Sequence, residues 1–497
     1  MADLLDAAQL YLDGRFADGR DPGFAVEDPA TEEDFAHAPA ADAAQFDAAV
    51  AAARRSFDAG VWASVPLAER VRLLAAMVDV LDGVRDDLVR TVIRETGTPV
   101  RIAGLLQVDM ALQQARQLPA LLATLPEWEH NELPLDGHIA GPAGHDVLMS
   151  IRRYEPCGVV AAITPYNFPL QPAVWKVFSA LAAGCSVILR PSPLAPLSVL
   201  ALGAAADRAG LPPGVLNILP EPGSAGAELL TSDPRVDCVS FTGSTAVGRR
   251  IAAQAAPTVK RLVLELGGKS VQLYLPDAVR NVGAGVAAVF GAHAGQACSS
   301  QSRVLVPAEA FDDAVAQATA VARAMPVGDP QDPATAVGPV VSAAQHARIT
   351  GLIADAVDAG ARLVAGGVRP AGLARGHYLE PAVLTVDDNA NPIAQREAFG
   401  PVVSIQAYRD LDEAVAIAND SEYGLSGGVY SADVRAGLAV ARRIRSGTVL
   451  VNRPAANAYT PMGGIKQSGI GRERGVAGLR EYQEVQHLVL GPLEDLR

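Results

Sequence analysis

The chain is 497 residues long, too long for one ordinary core, and 49% of its residues are apolar, enough to fill two or three domains. Its formal net charge of −14, with acidic and basic residues interspersed throughout, excludes the basic face with which a nucleic-acid binder meets phosphates. The start MADLLDAAQL lacks the basic flank and apolar run of a signal peptide, and no uncharged stretch reaches the length of a membrane span, so a cytoplasmic protein with no membrane partner is expected.

From Phe46 to about Gly104 apolar residues return every three or four positions, which predicts a layer of amphipathic helices. The stretch from Leu133 to Tyr154 is Gly/Pro-rich and then extended; with the C-terminal YQEVQHLVL it reads as a strand pair that either reaches a partner subunit or forms local edge strands. Between Gly158 and Gly268, short β-branched runs (GVVAAIT, CSVILR, GVLNILP, VDCVSFTG, RLVLELGG) alternate with helical stretches, the pattern of βαβ units in a parallel sheet. A second such alternation runs from Ser270 to about Leu450 and includes SVQLYL, SRVLVP, VVSIQAY and TVLVN. The fold class is therefore α/β, with two Rossmann-like parallel-sheet domains and a small β-strand oligomerisation arm. The expected division is 1–132 with 156–267 as a dinucleotide-binding domain and 268–452 as a catalytic domain. Residues 453–480 then return to the active site, and 133–155 with 481–497 form the arm.

Four cysteines, Cys157, Cys185, Cys238 and Cys298, are too few for a disulfide framework, and none has zinc-ligand spacing, so no metal is expected and each thiol is judged alone. Cys157, Cys185 and Cys238 lie in apolar or strand-like contexts and read as small buried hydrophobes. Cys298, in GAHAGQACSSQSR, has small neighbours that leave room for a substrate to approach a nucleophile. Glu265, in LVLELGGKS, ends an apolar strand before two glycines, where open sheets bind ligands and where burial would raise a carboxyl toward general-base range. Taken alone, a capping or salt-bridging carboxylate is the better reading of it; its value comes from the residues around it. Asn167, in ITPYNFP, is held between two prolines and is placed to donate to an oxyanion, although an Asn in a turn commonly satisfies only local backbone. FTGSTAVG is a glycine-bounded turn that opens a helix, a phosphate site by position but without the three-glycine fingerprint.

In this order and over nearly the whole chain, ITPYNFP with its following WK, FTGS, LELGGK, GQACSS, EAFGPV, SGTVLVN and PMGGIKQSGIGRERG resemble the aldehyde dehydrogenase superfamily. The resemblance implies NAD(P)-dependent oxidation of a small-molecule aldehyde to the carboxylic acid. Cys298 would form a thiohemiacetal and then a thioester, with Asn167 and the Cys298 N–H holding the oxyanion. Glu265 would activate the hydrolytic water, and Lys176 and Glu473 would relay its proton or form a structural ion pair. The pattern implies a cofactor groove along Ile163, Thr164, Pro165, Tyr166, Arg190, Ser192 and Pro193. It continues over Gly223, Gly226, Phe241, Gly243, Ser244, Val247 and Leu266, with Arg348, Glu397 and Phe399 at the nicotinamide end. The substrate pocket would draw on Gln171, Trp175, Ala297, Ser299, Asn457, Tyr459 and Met462, a set with no cation to bind a second carboxylate.

Two departures bear on specificity. Much of the family reads Lys-Pro-(Ser/Ala)-Glu where this chain reads Arg190-Pro191-Ser192-Pro193. The carboxylate that would accept from the adenosine ribose is missing and a cation remains, so NAD is expected with NADP possible. Tyr166 replaces the more frequent Trp and keeps an aromatic wall. The alternatives are a CoA-acylating or NADP-preferring semialdehyde dehydrogenase and a non-catalytic structural relative. The first is disfavoured by the presence of Glu265, the last by the presence of all three catalytic residues. A cysteine hydrolase lacks an evident histidine beside Cys298. The family expectation for assembly is a homodimer or homotetramer.

Overall fold

The computed structural model describes residues 8–132, 149–453 and 459–490. Two parallel-rich, Rossmann-like sheets organise it. In the first, five parallel strands lie in the order Arg261–Glu265, Cys238–Thr242, Val159–Ile163, Ser186–Arg190, Leu216–Ile218. Val159–Ile163 sits in the middle because the chain first builds outward on one side, to Leu216–Ile218, and then returns to build on the other. The strand order reverses between Val159–Ile163 and Cys238–Thr242, the kind of crevice in which open α/β sheets take dinucleotides.

The central strands are buried over their whole length, as continuous apolar runs with helices on both faces must be. Their side chains divide by the period-two rule. Val160, Ala162, Val187 and Leu189 join the core under helices Leu67–Asp82, Met110–Leu122, Leu170–Ala183 and Leu197–Ala209. Val159, Ala161 and Ile188 join Phe46, Ala49 and Val50 of helix Ala43–Asp58 on the other face. That helix starts where the sequence supplies a reciprocal cap: Asp42 accepts from the Gln45 N–H and the Gln45 side chain accepts from the Asp42 N–H.

The second sheet has the order Arg362–Ala365, Ala382–Thr385, Val402–Tyr408, Arg303–Pro307, Val271–Tyr274, Ser426–Tyr430, Thr448–Val451, and only its first pair is antiparallel. Residues 266–270 carry the chain directly from one sheet to the other. Gly469–Ile470 later pairs antiparallel with Arg261–Glu265, bringing the C-terminal segment back to the edge of the first sheet. Gln483–Leu490 pairs along its length with Met149–Pro156, which also pairs with Trp128–His130.

The helical layer after Pro66 holds two helices, Leu67–Asp82 and Arg85–Thr96, separated where Gly83, a poor helix former, precedes Val84 at φ −121°. Two features differ from the sequence reading. Leu10–Leu12 and Arg15–Ala17 extend the first sheet antiparallel beyond Leu216–Ile218, and Asp21–Asp28 pairs with Glu33–Ala40. The thiols are not independent: Cys157 Sγ lies 3.8 Å from Cys185 Sγ. Among the described residues no helix is long and apolar enough to cross a membrane.

Candidate active site

A cavity of about 500 Å³ opens between the two sheets and is lined by Cys298, Glu265 and Asn167 together. Each is delivered by a different piece of backbone. Glu265 is the last residue of its strand, paired with Thr242 on the neighbouring one. Asn167 follows strand Val159–Ile163 in a loop pinned from both sides: Gln107 donates to its carbonyl at 3.1 Å, and its own Nδ2 donates to the Gln296 carbonyl at 2.7 Å. Cys298 lies between the turn His293–Gly295 and strand Arg303–Pro307.

The nucleophile loop is tightly constrained. His293, Ala294 and Gly295 all have positive φ (52°, 51° and 72°), a run that only surrounding structure can hold in place. A Cβ on Gly295 would stand 2.0 Å from the Gly400 carbonyl oxygen, and one on Gly268 would stand 2.5 Å from the Cys298 carbonyl oxygen. Glycine is what lets the Cys298 loop close onto the residues that follow Glu265. His293 is itself buried, with Nδ1 at 2.8 Å from Thr98 Oγ1, and burial pushes its pKa down to about 3, so it is neutral and engaged away from the thiol.

The electrostatics single out Glu265. It is 2% exposed, its Oε1 has no hydrogen-bond partner, and its pKa is pushed up to about 8. Burial is the main cause, Glu473 adds to it, and the Cys298 thiol and Lys176 oppose it. Burial also raises the Cys298 thiol well above its usual range, and the adjacent Glu265 reinforces the shift. Thiol and carboxyl are close enough for each to shift the titration of the other. Behind them Lys176 Nζ contacts Glu473 Oε1 as a fully buried ion pair, while Glu473 Oε2 is unpartnered. Neither of the pair lines the cavity.

Of the predicted cofactor residues, Pro165, Tyr166, Gly243, Ser244, Arg348, Glu397 and Phe399 line the cavity. Tyr166 and Phe399 meet edge to face at 6.0 Å. Glu397 accepts from the Gly268 N–H at 2.9 Å, and Arg348 fixes the same turn through the carbonyls of Glu397 and Ala398. Ser244 caps helix Thr245–Ala255. Ile163, Thr164, Phe241 and Leu266 belong to the adjoining strand ends, and Val247 is exposed on the helix. At the crevice between the switch-point strands, Thr164 Oγ1 and Thr242 Oγ1 are buried without partners. Ser192 and Pro193 lie just beyond Arg190 at the end of the next strand, and Gly226 packs against the Phe46 ring.

Arg190 is not the free cation expected from the sequence. Its Nε donates to Glu221 at 3.0 Å and its Nη2 contacts the Gly223 carbonyl, while Glu221 also accepts from the N–H groups of Gly226 (2.8 Å) and Ala227 (3.0 Å). A carboxylate is therefore present at this corner, supplied from a loop rather than from position 193.

Of the predicted substrate residues, Gln171, Trp175, Ala297, Ser299 and Met462 line the cavity. Tyr459 is 41% exposed and does not, and Asn457 lies outside the described residues. Sequence reasoning missed Leu106 and Met110, which the π-helical segment Ala103–Asp109 and the start of the next helix turn inward, and also Phe168 and Pro172. It also missed Arg474, which lines the cavity with its guanidinium 5.1 Å from the centroid of the Trp175 ring. The expectation of a pocket without a cation is thus corrected: Arg474 adjoins Glu473, and the bridge between Met462 and Glu473 holds this segment against the site.

The profile of the aldehyde dehydrogenase family matches residues 16–488. The chain is 38% identical over 465 residues to geranial dehydrogenase of Castellaniella defragrans, a match covering 93% of this chain and 94% of that one. Among solved structures, aldehyde dehydrogenase C of Pseudomonas syringae, a cysteine-to-alanine variant with NAD+ and octanal, superposes with a TM-score of 0.91 at 38% identity, covering 97% of this chain and 96% of that one. An aldehyde dehydrogenase of Mycobacterium tuberculosis with NAD+ gives a TM-score of 0.91 at 39% identity, covering 97% and 98%.

Proposed function

The chain belongs to the aldehyde dehydrogenase family, and from that premise we propose that it oxidises an aldehyde to the free carboxylic acid through a Cys298 thioester, with NAD as hydride acceptor. The observation that carries this reading is the convergence of Cys298, Glu265 and the Asn167 amide on one cavity. The dinucleotide fits the crevice on this chain's own terms: two orphaned threonine hydroxyls, the Ser244-capped helix start and the Tyr166–Phe399 wall line its path.

The residues then divide the work. Cys298 attacks the aldehyde carbon as its thiolate, the thiol proton going to water in the cavity, and a C–S bond forms as the carbonyl opens to an alkoxide. The resulting alkoxide is held by the second N–H of the Asn167 amide and by the Cys298 backbone N–H, which donates to none of the described residues. Bound nicotinamide supplies the hydride acceptor that turns the thiohemiacetal into a thioester. Glu265 next takes a proton from water, whose oxygen attacks the thioester carbon and releases the acid and the thiol. Glu473, with one unpartnered oxygen and Lys176 on the other, passes that proton outward. The presence of a base beside the thioester favours hydrolysis over transfer to CoA.

At the adenosine end, the Glu221 carboxylate occupies Arg190 and leaves it no free charge for a 2′-phosphate, which favours NAD over NADP. Self-association through the three-stranded sheet belongs to the same reading, since Gln483–Leu490 is an edge strand with Val485 and Val489 exposed. The direct test is formation of reduced nicotinamide and free acid from a panel of aldehydes without CoA, run in parallel with NAD and NADP. Acid formation with NAD is expected; dependence on CoA would shift the reading to the acylating branch.

A further inference from the structure

We infer that Arg474 is an anion anchor in the substrate pocket, and that the preferred substrates are aldehydes carrying a carboxylate at the far end of an apolar chain. The inference rests on the oxidation reading above for the aldehyde end and on separate observations for the anion end. Arg474 lines the same cavity as Cys298. Its Nε is buried without a hydrogen-bond partner, and among the described residues its guanidinium makes no ion pair; it lies over the face of Trp175. A guanidinium offers five N–H donors in a planar fork, and the buried Nε–H of Arg474 has no acceptor for its share of them.

The nearby carboxyls do not fill that role. Glu473 binds Lys176 through Oε1 and makes no ion pair with Arg474. Glu265, raised by burial, is a neutral acid up to about pH 8. The pocket therefore holds a guanidinium that makes no ion pair among the described residues and whose Nε has no acceptor.

The backbone points the same way. Arg474 sits at φ 68° and ψ 155°, a region that is essentially glycine's. A side chain held there at a cost in strain, directly before Gly475, is in place for what its head group does. Around it the walls are apolar: Leu106, Met110, Phe168 and Met462. An apolar wall with one fork-shaped cation suits a methylene chain ending in a carboxylate, and it suits a plain alkanal less well.

The test compares 6-oxohexanoate with hexanal as substrates of the wild type, Arg474→Met and Arg474→Lys, reading the ratio of the two kcat/KM values. Calorimetry of adipate and hexanoate binding to the same three proteins runs alongside and needs no turnover. The wild type should favour 6-oxohexanoate, and Arg474→Met should lower the ratio by about ten- to a hundredfold, the worth of a hydrogen bond to a charged group, with Arg474→Lys between. Adipate binding should weaken in the same order, and Arg474→Gly should melt higher than the wild type as the strain is released. An identical ratio in wild type and Arg474→Met, with adipate binding no tighter than hexanoate, overturns the inference while oxidation of hexanal keeps the proposed function intact. Arg474-dependent adipate binding without turnover of either aldehyde would do the reverse, supporting the anchor and removing the oxidation.

Discussion

The titration of Glu265 gives the most constrained prediction. A carboxyl raised from 4.5 to about 8 is a neutral acid below that pH and a base above it, so base function is gained as pH rises. With a pKa of about 8, roughly a tenth of the sites are ionised at pH 7, half at pH 8 and about nine-tenths at pH 9. If deacylation limits turnover, kcat should climb about tenfold between pH 7 and 9 and then level off. At low pH, hydride transfer should outrun hydrolysis and leave a burst of reduced cofactor in stopped-flow traces. Glu265→Gln should flatten the rise and lower kcat by about two to four orders of magnitude, with the burst retained. The Cys298 thiol, also raised, governs the burst rate and not kcat, so the two titrations separate. A rise in kcat near pH 8 that survives in Glu265→Gln would refute the assignment of the base.

Other outcomes follow from single contacts. Asn167→Ala should cut kcat about a hundred- to a thousandfold, because a positioned oxyanion donor is lost; a change confined to KM would move Asn167 to substrate binding. Lys176→Met leaves Glu473 buried and unpaired and should cost about 3–5 kcal/mol of stability, measured as a large drop in Tm, whereas an unchanged Tm would show the pair to be hydrated. Glu221→Gln unburdens Arg190 and should shift the ratio of NADP to NAD dissociation constants toward NADP by about tenfold, followed by fluorescence titration. No shift would place Arg190 outside the adenosine contact.

What could be read from the sequence was whatever is local. The strands of the two sheets are unbroken apolar runs because both faces are covered, and each such run is visible by itself, as in VVAAI or SVILR. Cys298, Glu265 and Asn167 sit in short motifs whose neighbours, small residues, glycines and prolines, are what hold them in the cavity. The strands Leu10–Leu12 and Arg15–Ala17 were not visible, since three residues carry no period and only the sheet edge beside them makes them strands. Arg190 looked free because its partner, Glu221, is 31 residues away across the sheet's carboxyl edge. Arg474 was passed over for a related reason: nothing in GRERG says which way the arginine turns, and its φ of 68° and the return of its segment to the site decide it.

The central claim is the covalent thioester on Cys298. It is tested most directly by quenching Glu265→Gln during turnover of an aldehyde with NAD and mapping the acyl group by mass spectrometry. The account predicts the mass of the acyl group on the peptide containing Cys298, and its absence when Cys298 is replaced by Ala. Turnover with Cys298 unmodified, or continued oxidation in Cys298→Ala, would contradict it.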